Sequence, residues 1–405
     1  MAAVAALVAG AAAVAVAVEL SRRRRRRVDA TPAQPVRARQ GADVDADAAA
    51  HGAAHAETPA DAGATTRHSS ADDAAASLYR VKAAVAKDAL ASLDLDVERI
   101  ARESNGELFG DRPADRAPLA RVPIHARVPF GFYVDGVLSE RECALLVERT
   151  VRSGGFSFWS PDPDQRAFRD CETLEVNHPQ LAALLWRRLE PAMRGGGDHD
   201  DAIDDLTRVR IESQEQDPVR YARDLAGEWV AYGTNACVLF SQYREGGHFA
   251  AHTDGFNVLD FDDRSMFSVV LYLNSLPEGA GGQTTFYEDR ARDSIARDAA
   301  GRLVADEALA IASVRPVAGR ACCFFHNTMH QSVVLAPGSG QRKWIIRSDV
   351  MYRRNPPLLV EERDRRAYEL IREAERVAET DPDQAAALYR RAFKTSWLLG
   401  GVYGM

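Results

Sequence analysis

The feature that most constrains the fold is a series of short β-rich segments in the C-terminal half of the chain. Each segment is rich in aliphatic and aromatic residues, and glycine, proline or polar turn residues separate it from the next. Many short strands joined by turns favour an antiparallel sandwich or barrel. The predicted strands are Val238–Tyr243, Met266–Asn274, Thr284–Tyr287, Ala321–Phe325, Gln331–Leu335 and Trp344–Tyr352.

Helices are predicted on both sides of these strands. A helical stretch covers Ser77–Glu103, where apolar residues recur at roughly helical spacing. Ser139 and Glu142 form a capping-box pattern before an apolar helix, and Pro179–Met193 predicts another helix with proline at its first position. After residue 357 the chain turns helical again, as a predicted hairpin. The fold class is therefore mostly β with flanking helices (α+β).

Composition narrows the class of function. The 405 residues are enough for one large core or two smaller ones. The net charge of −8 and the pI near 5.8 make nucleic acid an unfavoured partner, because phosphate binding requires a basic surface. The five cysteines are scattered, odd in number and without a CxxC pair, so neither a disulfide framework nor a zinc clip is predicted.

The N-terminus differs from the rest of the chain. Met1–Val18 is uncharged and mostly Ala and Val, and an arginine run follows at Arg22–Arg27. A membrane span needs about 20 apolar residues, so residues 1–20 predict a possible single-pass membrane anchor, although alanine contributes weakly. An organelle-targeting peptide and a cytoplasmic chain stay open as alternatives. Residues 28–76 have the composition of a disordered linker.

One group of residues has the pattern of a metal site. His252 and Asp254 are separated by a single residue, and His330 follows several predicted strands later. Because side chains alternate along a strand, His252 and Asp254 can project to the same side. Two imidazoles and one carboxylate on one face leave three coordination positions open, as in non-haem iron oxygenases. An HxD pair alone is a weak signal, so its context decides the interpretation.

A zinc site is the alternative for the second histidine. His326 and His330 have the i, i+4 spacing of two zinc ligands on a helix. That interpretation leaves Asp254 unexplained, and the segment lacks the adjacent glutamate of an HExxH motif. We therefore expect His326 at the end of a strand, beside the iron ligands or the substrate.

The context of the HxD pair resembles the catalytic domain of prolyl 4-hydroxylases and their relatives in the Fe(II)/2-oxoglutarate-dependent dioxygenase superfamily. The resemblance covers roughly Val128 to Tyr352, keeps the order of the family's motifs and implies a double-stranded β-helix (jelly-roll) core. The motifs are YREGGHFAAHTD at 243–254, SVVLYLN at 268–274, GGQTTF at 281–286, GRACCFFH at 319–326, then His330 and the Lys343-Trp344 pair.

The resemblance implies a role for each matching residue. His252, Asp254 and His330 correspond to the iron ligands, and Lys343 to the cation that binds the far carboxylate of 2-oxoglutarate. The turn before Lys343 is a few residues longer than in the family, so Arg342 and Arg347 stay open as alternatives. The chain uses few lysines, which favours Lys343. Three further residues match positions that contact 2-oxoglutarate in relatives: Tyr243, Tyr272 and Thr284. The candidates for positions beside the iron or the substrate are His326, Arg347 and His248.

The implied activity is hydroxylation of a C–H bond, coupled to decarboxylation of 2-oxoglutarate to succinate and CO2. The implied cofactors and cosubstrates are Fe(II), 2-oxoglutarate, O2 and L-ascorbate. A prolyl 4-hydroxylase acting on protein or peptide is the leading hypothesis, because the family resemblance points to proline. The alternatives are a dioxygenase acting on another amino acid, a small molecule or a nucleobase, and a non-catalytic binding module on the same fold. The sequence does not determine the oligomeric state.

Together these features divide the chain into five segments. They are the possible anchor at 1–27, the linker at 28–76, a helical lead-in at 77–126, the dioxygenase domain at 127–355 and the C-terminal helices at 356–405.

Overall fold

A computed structural model of the protein describes residues 93–110, 119–160, 162–195, 205–211 and 223–403. The predicted anchor and linker, and most of the predicted helix Ser77–Glu103, lie outside these ranges. Within them, no helix combines the length and the apolar character needed to cross a membrane. The anchor therefore stays a prediction.

The described residues form the following elements. The α-helices are α1 Val97–Glu103, α2 Glu140–Ser153, α3 Pro179–Arg194, α4 Glu362–Val377, α5 Pro382–Thr395 and α6 Trp397–Val402. The strands are β1 Arg121–Pro123, β2 Phe132–Val134, β3 Ser157–Phe158, β4 Arg169–Asp170, β5 Glu172–Asn177, β6 Arg208–Ile211, β7 Gly227–Thr234, β8 Cys237–Tyr243, β9 His248–His252, β10 Val258–Asp260, β11 Asp263–Tyr272, β12 Thr284–Tyr287, β13 Ala296–Arg297, β14 Leu303–Val304, β15 Ala310–Val314, β16 Ala321–Phe325, β17 His330–Ser332 and β18 Lys343–Arg354. Short 3-10 helices cover Pro163–Ala167, Arg223–Leu225, Asp289–Ser294 and Glu307–Leu309.

Most strands belong to two antiparallel sheets. The major sheet has the order β1-β2-β16-β11-β18-β8-β5-β3, with β10 beside β11, β7 beside β18 and β6 beside β7. The minor sheet has the order β15-β12-β17-β9-β4. The prediction of a mostly β, jelly-roll-like fold with additional helices is confirmed at this level. Strand β1 already joins the major sheet, so the sheet begins ahead of the boundary predicted at residue 127.

The two sheets enclose an apolar interior. Tyr243, Val270 and Ile345 of the major sheet belong to the same buried cluster as Phe286 and Val314 of the minor sheet. Along β11 the side chains alternate between two environments, as expected for a strand that is covered on both faces. The inward residues are Ser268, Val270 and Tyr272, whereas Phe267, Val269 and Leu271 pack in a separate core with α2 and α3. Inward positions of the major sheet therefore face the minor sheet.

The long segment that follows β12 and ends in β15 is structured. It contains two 3-10 helices, the β13–β14 hairpin and strand β15. Its residues Ala291, Ala305 and Leu309 pack against Ala251 and Met329, two residues at the β9–β17 pair. The connection thus covers the outer face of the minor sheet.

The C-terminal helices α4 and α5 lie next to each other, and α4 contacts the strand region. The ring of Tyr368 meets the ring of Phe261 edge-on, with 5.3 Å between the centroids. Asp262 also accepts hydrogen bonds from the amides of Leu358 and Leu359, at 2.9 Å each. These contacts hold the segment that leads from β18 to α4.

The predicted capping box at the start of α2 is confirmed. Ser139 accepts a hydrogen bond from the Glu142 amide, and the Glu142 carboxylate accepts one from the Ser139 amide. Glu142 is also buried, and its oxygens each lie 2.8 Å from a guanidinium nitrogen of Arg188 on α3. Burial alone would raise the pKa of Glu142, but Arg188 and these hydrogen bonds outweigh it and lower the pKa. This ion pair joins the two helices that cover the major sheet.

Replacing Arg188 should therefore destabilise the fold. We expect Arg188→Ala to lower the free energy of unfolding by about 3–5 kcal/mol, because it leaves a buried carboxylate without its cation. The matched control is Arg194→Ala on the same helix, since Arg194 is exposed and forms a surface ion pair with Glu190. That control should cost less than about 1 kcal/mol. Urea unfolding measures both, and equal losses would contradict this account of the Glu142–Arg188 pair.

Candidate metal centre

His252 and His330 are placed side by side by strand pairing. His252 ends β9 and His330 begins β17, and the two residues are direct partners in the antiparallel register. Their ring centroids are 4.3 Å apart. Both residues are buried. Two residues that are 78 positions apart in sequence thus become neighbours through one strand pair.

A bulge in β9 sets the direction of His252. Ser332 pairs with Phe249, so between the two pairs Ala250 and Ala251 of β9 lie opposite the single residue Gln331 of β17. The extra residue lets Phe249 and His252 face the same side of the strand, although they are three positions apart. Their rings stack with 3.6 Å between centroids. The bulge therefore orients the His252 ring and places an aromatic ring against it.

Asp254 follows directly after β9 and completes the group. Its Oδ1 lies 3.6 Å from Nε2 of His252, and its Oδ2 lies 3.7 Å from Nε2 of His330. One ligand atom from each of the three side chains lies within 4.8 Å of the others. The Asp254 amide donates to the carbonyl oxygen of His326 at 2.9 Å, which fixes the backbone here. The structure thus brings the three predicted residues together.

The charge states of these side chains suit a divalent metal. Burial alone would raise the pKa of Asp254, but Arg347 and the two histidines outweigh it and hold the pKa well below its usual range. Burial, together with the neighbouring His252, lowers the pKa of His330 to about 3, so its imidazole is neutral near pH 7. Neutral imidazole and ionised carboxylate are the forms that bind metal. Two imidazoles and one carboxylate on one side fit the donor set of a non-haem iron ion.

Lys343 is a buried cation inside the barrel. Its Nζ donates to the carbonyl oxygen of Gly282 at 2.7 Å and to the hydroxyl of Ser332. It also lies 4.6 Å from the ring centroid of Tyr243, its partner on β8. Among the described residues no carboxylate lies within ion-pair distance of Nζ, and burial lowers the pKa of Lys343 to about 7. An anion bound here would stabilise the charged form.

The other three predicted cosubstrate contacts also face the interior. Tyr243 and Tyr272 are both buried in the cluster between the sheets, and burial raises the pKa of each phenol. The Tyr272 hydroxyl donates to Oγ1 of Thr284 at 2.7 Å, which joins the major sheet to the minor sheet. Each residue is thus placed on the same interior surface as Lys343.

The structure separates the two rivals of Lys343. Arg342 is exposed at the surface. Arg347 faces the interior, but its Nη2 lies 3.1 Å from Oδ2 of Asp254 and its Nη1 pairs closely with Asp349. Its charge is thus directed at the metal site and not at the surroundings of Lys343.

The other two candidate histidines, His326 and His248, lie in different parts of the structure. His326 directly follows β16, at the predicted strand end, and both of its ring nitrogens are bonded to serine hydroxyls. His248 begins β9, and its Nε2 lies 3.0 Å from the carbonyl oxygen of Ala167. It lines a surface cavity of about 300 Å³ with Arg166 and Arg302. His326 is therefore next to the candidate metal site, whereas His248 lines a separate cavity.

One charged residue near the site is not singled out by the sequence analysis. Arg169 of β4 stacks on the ring of Phe249, with 4.6 Å from its guanidinium carbon to the ring centroid, and lies 5.4 Å from the ring centroid of Trp159. Its Nε donates to the thiol of Cys171 at 2.9 Å. Because nearly all basic residues in the chain are arginine, composition could not distinguish it. Only the pairing of β4 with β9 reveals its position.

Gly282 illustrates why the GGQT motif contains glycine next to Lys343. Its φ is +76°, and a Cβ at this position would lie 2.8 Å from Cδ1 of Leu276 and 3.3 Å from Cδ of Lys343. Gly279 has a similar φ of +80°, but a Cβ there would meet nothing within 4 Å. The two glycines therefore differ in packing and not in backbone conformation.

Alanine at these two glycines should have different effects. We expect Gly282→Ala to lower the free energy of unfolding by about 1–3 kcal/mol more than Gly279→Ala, because only the former overpacks the interior. Both variants share the cost of a positive φ, so the difference isolates the contact with Leu276 and Lys343. Chemical denaturation gives both values. Equal destabilisation would show that the space beside Lys343 accepts a methyl group.

Comparison with known proteins agrees with this geometry. Residues 238–348, about a quarter of the chain, match the family model of the 2OG-Fe(II) oxygenase superfamily. The match includes His252, Asp254, His330 and Lys343. It confirms the resemblance to this superfamily, whose members use Fe(II), 2-oxoglutarate and O2. A search of curated proteins finds no match.

Solved structures are also similar, at low identity. The viral collagen prolyl hydroxylase from Paramecium Bursaria Chlorella virus-1 is 14% identical, with 55% of this chain and 96% of that chain covered and a TM-score of 0.31. A Pseudomonas putida prolyl-4-hydroxylase is 17% identical, with coverage of 55% and 91% and a TM-score of 0.32. The carbocyclase SnoK from nogalamycin biosynthesis is 15% identical, with coverage of 57% and 84% and a TM-score of 0.34. At these values the likeness supports no conclusion on the substrate.

Proposed function

We propose that this chain, in which residues 238–348 match the 2OG-Fe(II) oxygenase superfamily, is an Fe(II)/2-oxoglutarate-dependent dioxygenase that hydroxylates a C–H bond. The observation that carries the proposal is the convergence of His252, Asp254 and His330 inside the matching segment. A buried lysine without a carboxylate partner in the described ranges lies in the same interior.

The bound groups and the protein side chains would have separate roles. When bound, iron and 2-oxoglutarate supply the oxidising chemistry that inserts oxygen into an unactivated C–H bond. His252, Asp254 and His330 would hold the metal through two imidazoles and one carboxylate. Lys343, with the hydroxyls of Tyr243 and the Tyr272–Thr284 pair, would bind and orient the dicarboxylate. The apolar interior around them excludes water from the reacting centre.

Lys343 is the cation we assign to the far carboxylate of 2-oxoglutarate. Within the part of the chain that the structure describes, its buried amine is bonded only to neutral oxygens, at Gly282 and Ser332. A buried ammonium is unfavourable unless an anion compensates it. Arg342 is exposed and Arg347 is paired with Asp254 and Asp349, so neither is as free to take this role.

We propose a prolyl residue in a protein or peptide as the substrate. The support is the motif resemblance to prolyl 4-hydroxylases, together with the surface next to His252. There Trp159, Arg169 and Phe249 are all partly exposed, so aromatic faces and a hydrogen-bond donor lie beside the metal ligands. Aromatic faces suit the apolar ring of proline, and the guanidinium suits a peptide carbonyl. We also propose that L-ascorbate sustains turnover by reducing oxidised iron.

The first test measures succinate formed from 2-oxoglutarate by the Fe(II)-loaded protein with a panel of peptides. We expect turnover by the wild type, and a loss of at least about 10³-fold in His252→Ala, Asp254→Ala and His330→Ala, because each removes a metal ligand. His248→Ala is the matched control, since this histidine lies outside the triad, and it should retain bound iron and succinate formation. If the wild-type protein binds neither iron nor 2-oxoglutarate, the proposal of enzymatic activity is rejected and a non-catalytic binding module is favoured.

The substrate is tested in the same assay by mass spectrometry of the products. We expect a gain of one oxygen on proline-containing peptides and none on matched peptides in which alanine replaces proline. Ascorbate should increase the number of turnovers. If peptides fail to stimulate succinate formation while free amino acids, other small molecules or nucleobases stimulate it, the substrate belongs to whichever of those classes is active.

The pH dependence of 2-oxoglutarate binding tests Lys343. Because burial lowers the pKa of Lys343 to about 7, binding of a carboxylate must raise that pKa, and above pH 7 the complex takes up a proton. The affinity should thus be highest below pH 7 and fall by up to about tenfold per pH unit above it. In Lys343→Arg the cation stays charged, so this dependence should disappear. Calorimetric titrations from pH 6 to 9 measure it, and an identical pH profile in both proteins would assign the carboxylate to another residue.

A further inference from the structure

The second oxygen of Asp254 is bonded to residues of the major sheet. Oδ2 accepts a hydrogen bond from the Ser268 hydroxyl at 2.6 Å and lies 3.1 Å from Nη2 of Arg347. Oδ1 instead faces Nε2 of His252 at 3.6 Å. The two oxygens of the carboxylate are therefore not equivalent. Oδ2 is held by two donors and lies 3.7 Å from Nε2 of His330, whereas Oδ1 is the oxygen that faces Nε2 of His252.

The directions of the hydrogen bonds are determined by the available protons. Ser268 has one hydroxyl proton, and it is donated to Asp254. Its oxygen must therefore accept from Nδ1 of His326 at 2.8 Å and from Nη2 of Arg347 at 3.1 Å. His326 then carries its proton on Nδ1, and its Nε2 accepts from the Ser265 hydroxyl at 2.7 Å. Every polar atom in this chain of contacts has a partner of the right type.

The donors are held rigidly by the sheet. Ser268 lies on the central strand β11, between Phe324 on β16 and Asp349 on β18. Its side chain and that of His326 are fully buried. Arg347 is held from the other side by Asp349, whose Oδ2 accepts a hydrogen bond from the side-chain amide Nδ2 of Asn235 at 3.2 Å. The donors to Asp254 therefore have little freedom to follow the carboxylate if it rotates.

A fixed carboxylate matters because of how many coordination positions it takes. A free carboxylate binds a metal through one oxygen or through both. Three ligand atoms leave three positions open in an octahedral site, enough for a chelating cosubstrate and O2, whereas a fourth atom would remove one. Replacing a residue that hydrogen-bonds to a metal ligand commonly lowers metal affinity by 10- to 100-fold.

We propose that Ser268 and Arg347, with His326 behind Ser268, are positioning residues that hold Asp254 as a one-oxygen metal ligand. The inference rests on the proposed function and extends it. It also gives Arg347 a different role from the cosubstrate cation considered in the sequence analysis: its charge stabilises the ionised Asp254, while Lys343 serves 2-oxoglutarate.

Mn(II) binding to the full-length protein tests the proposal without turnover. The probe is Mn(II) alone, followed by the loss of the EPR signal of the free ion. We expect Ser268→Ala and Arg347→Gln to bind Mn(II) about 10- to 100-fold more weakly than the wild type. The matched control is Arg353→Gln on the same strand, because Arg353 is exposed and pairs with Asp263. It should bind Mn(II) as the wild type does.

Ser268→Thr separates positioning from packing. Threonine keeps the hydroxyl but adds a methyl group at a fully buried position, so it should lower thermal stability more than alanine does. If the hydroxyl orients Asp254, Ser268→Thr binds Mn(II) more tightly than Ser268→Ala despite its lower stability. If Ser268 only fills space, the order of Mn(II) affinity follows stability and the proposal is overturned. Ser268→Ala removes only one atom, so it keeps the test valid should Arg347→Gln fail to fold.

The outcomes distinguish this inference from the proposed function. Wild-type protein that does not bind Mn(II) contradicts the metal centre itself. Wild-type binding with unchanged affinity in Ser268→Ala and Arg347→Gln overturns the positioning role alone. If Arg347→Gln keeps its Mn(II) affinity but binds 2-oxoglutarate at least tenfold more weakly, Arg347 is the cosubstrate cation and the inference is wrong.

Discussion

The candidate metal centre depends on the hydrogen bonds that tie Asp254, which follows β9 of the minor sheet, to Ser268 and Arg347 of the major sheet. His252 and His330 belong to a single strand pair of the minor sheet, so their spacing is set by backbone pairing. Asp254 lies beyond the end of that strand pair, where strand pairing no longer sets its position. Its position is determined by bonds across the interior, and these bonds need the two sheets to face each other as they do.

A second cross-sheet contact places the charge needed for an anionic ligand. Lys343 starts β18 of the major sheet, but its amine reaches Ser332 of β17 and the carbonyl of Gly282. Arg347, two inward positions further along the same strand, reaches Asp254 instead. One strand therefore supplies two cations to two places, and their surroundings differ. The lysine has only neutral partners in the described part of the chain, whereas the arginine lies between two carboxylates.

The strands and the identity of the three converging residues could be predicted from the sequence, because alternation and turn residues are local signals. Thr284–Tyr287 and Ala321–Phe325 have the predicted bounds, whereas the strand expected at Gln331–Leu335 is His330–Ser332. The bulge in β9 depends on register with β17, which no local pattern encodes. The partners of Arg347 and the place of Arg169 follow from strand neighbours far apart in sequence. Sequence reasoning therefore predicted which three residues converge but not what orients them.

The central claim is that one metal ion is held by these three residues, through a single oxygen of Asp254, with 2-oxoglutarate directed at Lys343. The most direct test is anomalous diffraction from crystals of the protein grown anaerobically with Mn(II) and 2-oxoglutarate. The account predicts one strong manganese peak bonded to Nε2 of His252, Nε2 of His330 and Oδ1 of Asp254, with the far carboxylate of the ligand paired with Lys343. A manganese peak outside this group, or a ligand carboxylate paired with Arg347, would contradict it.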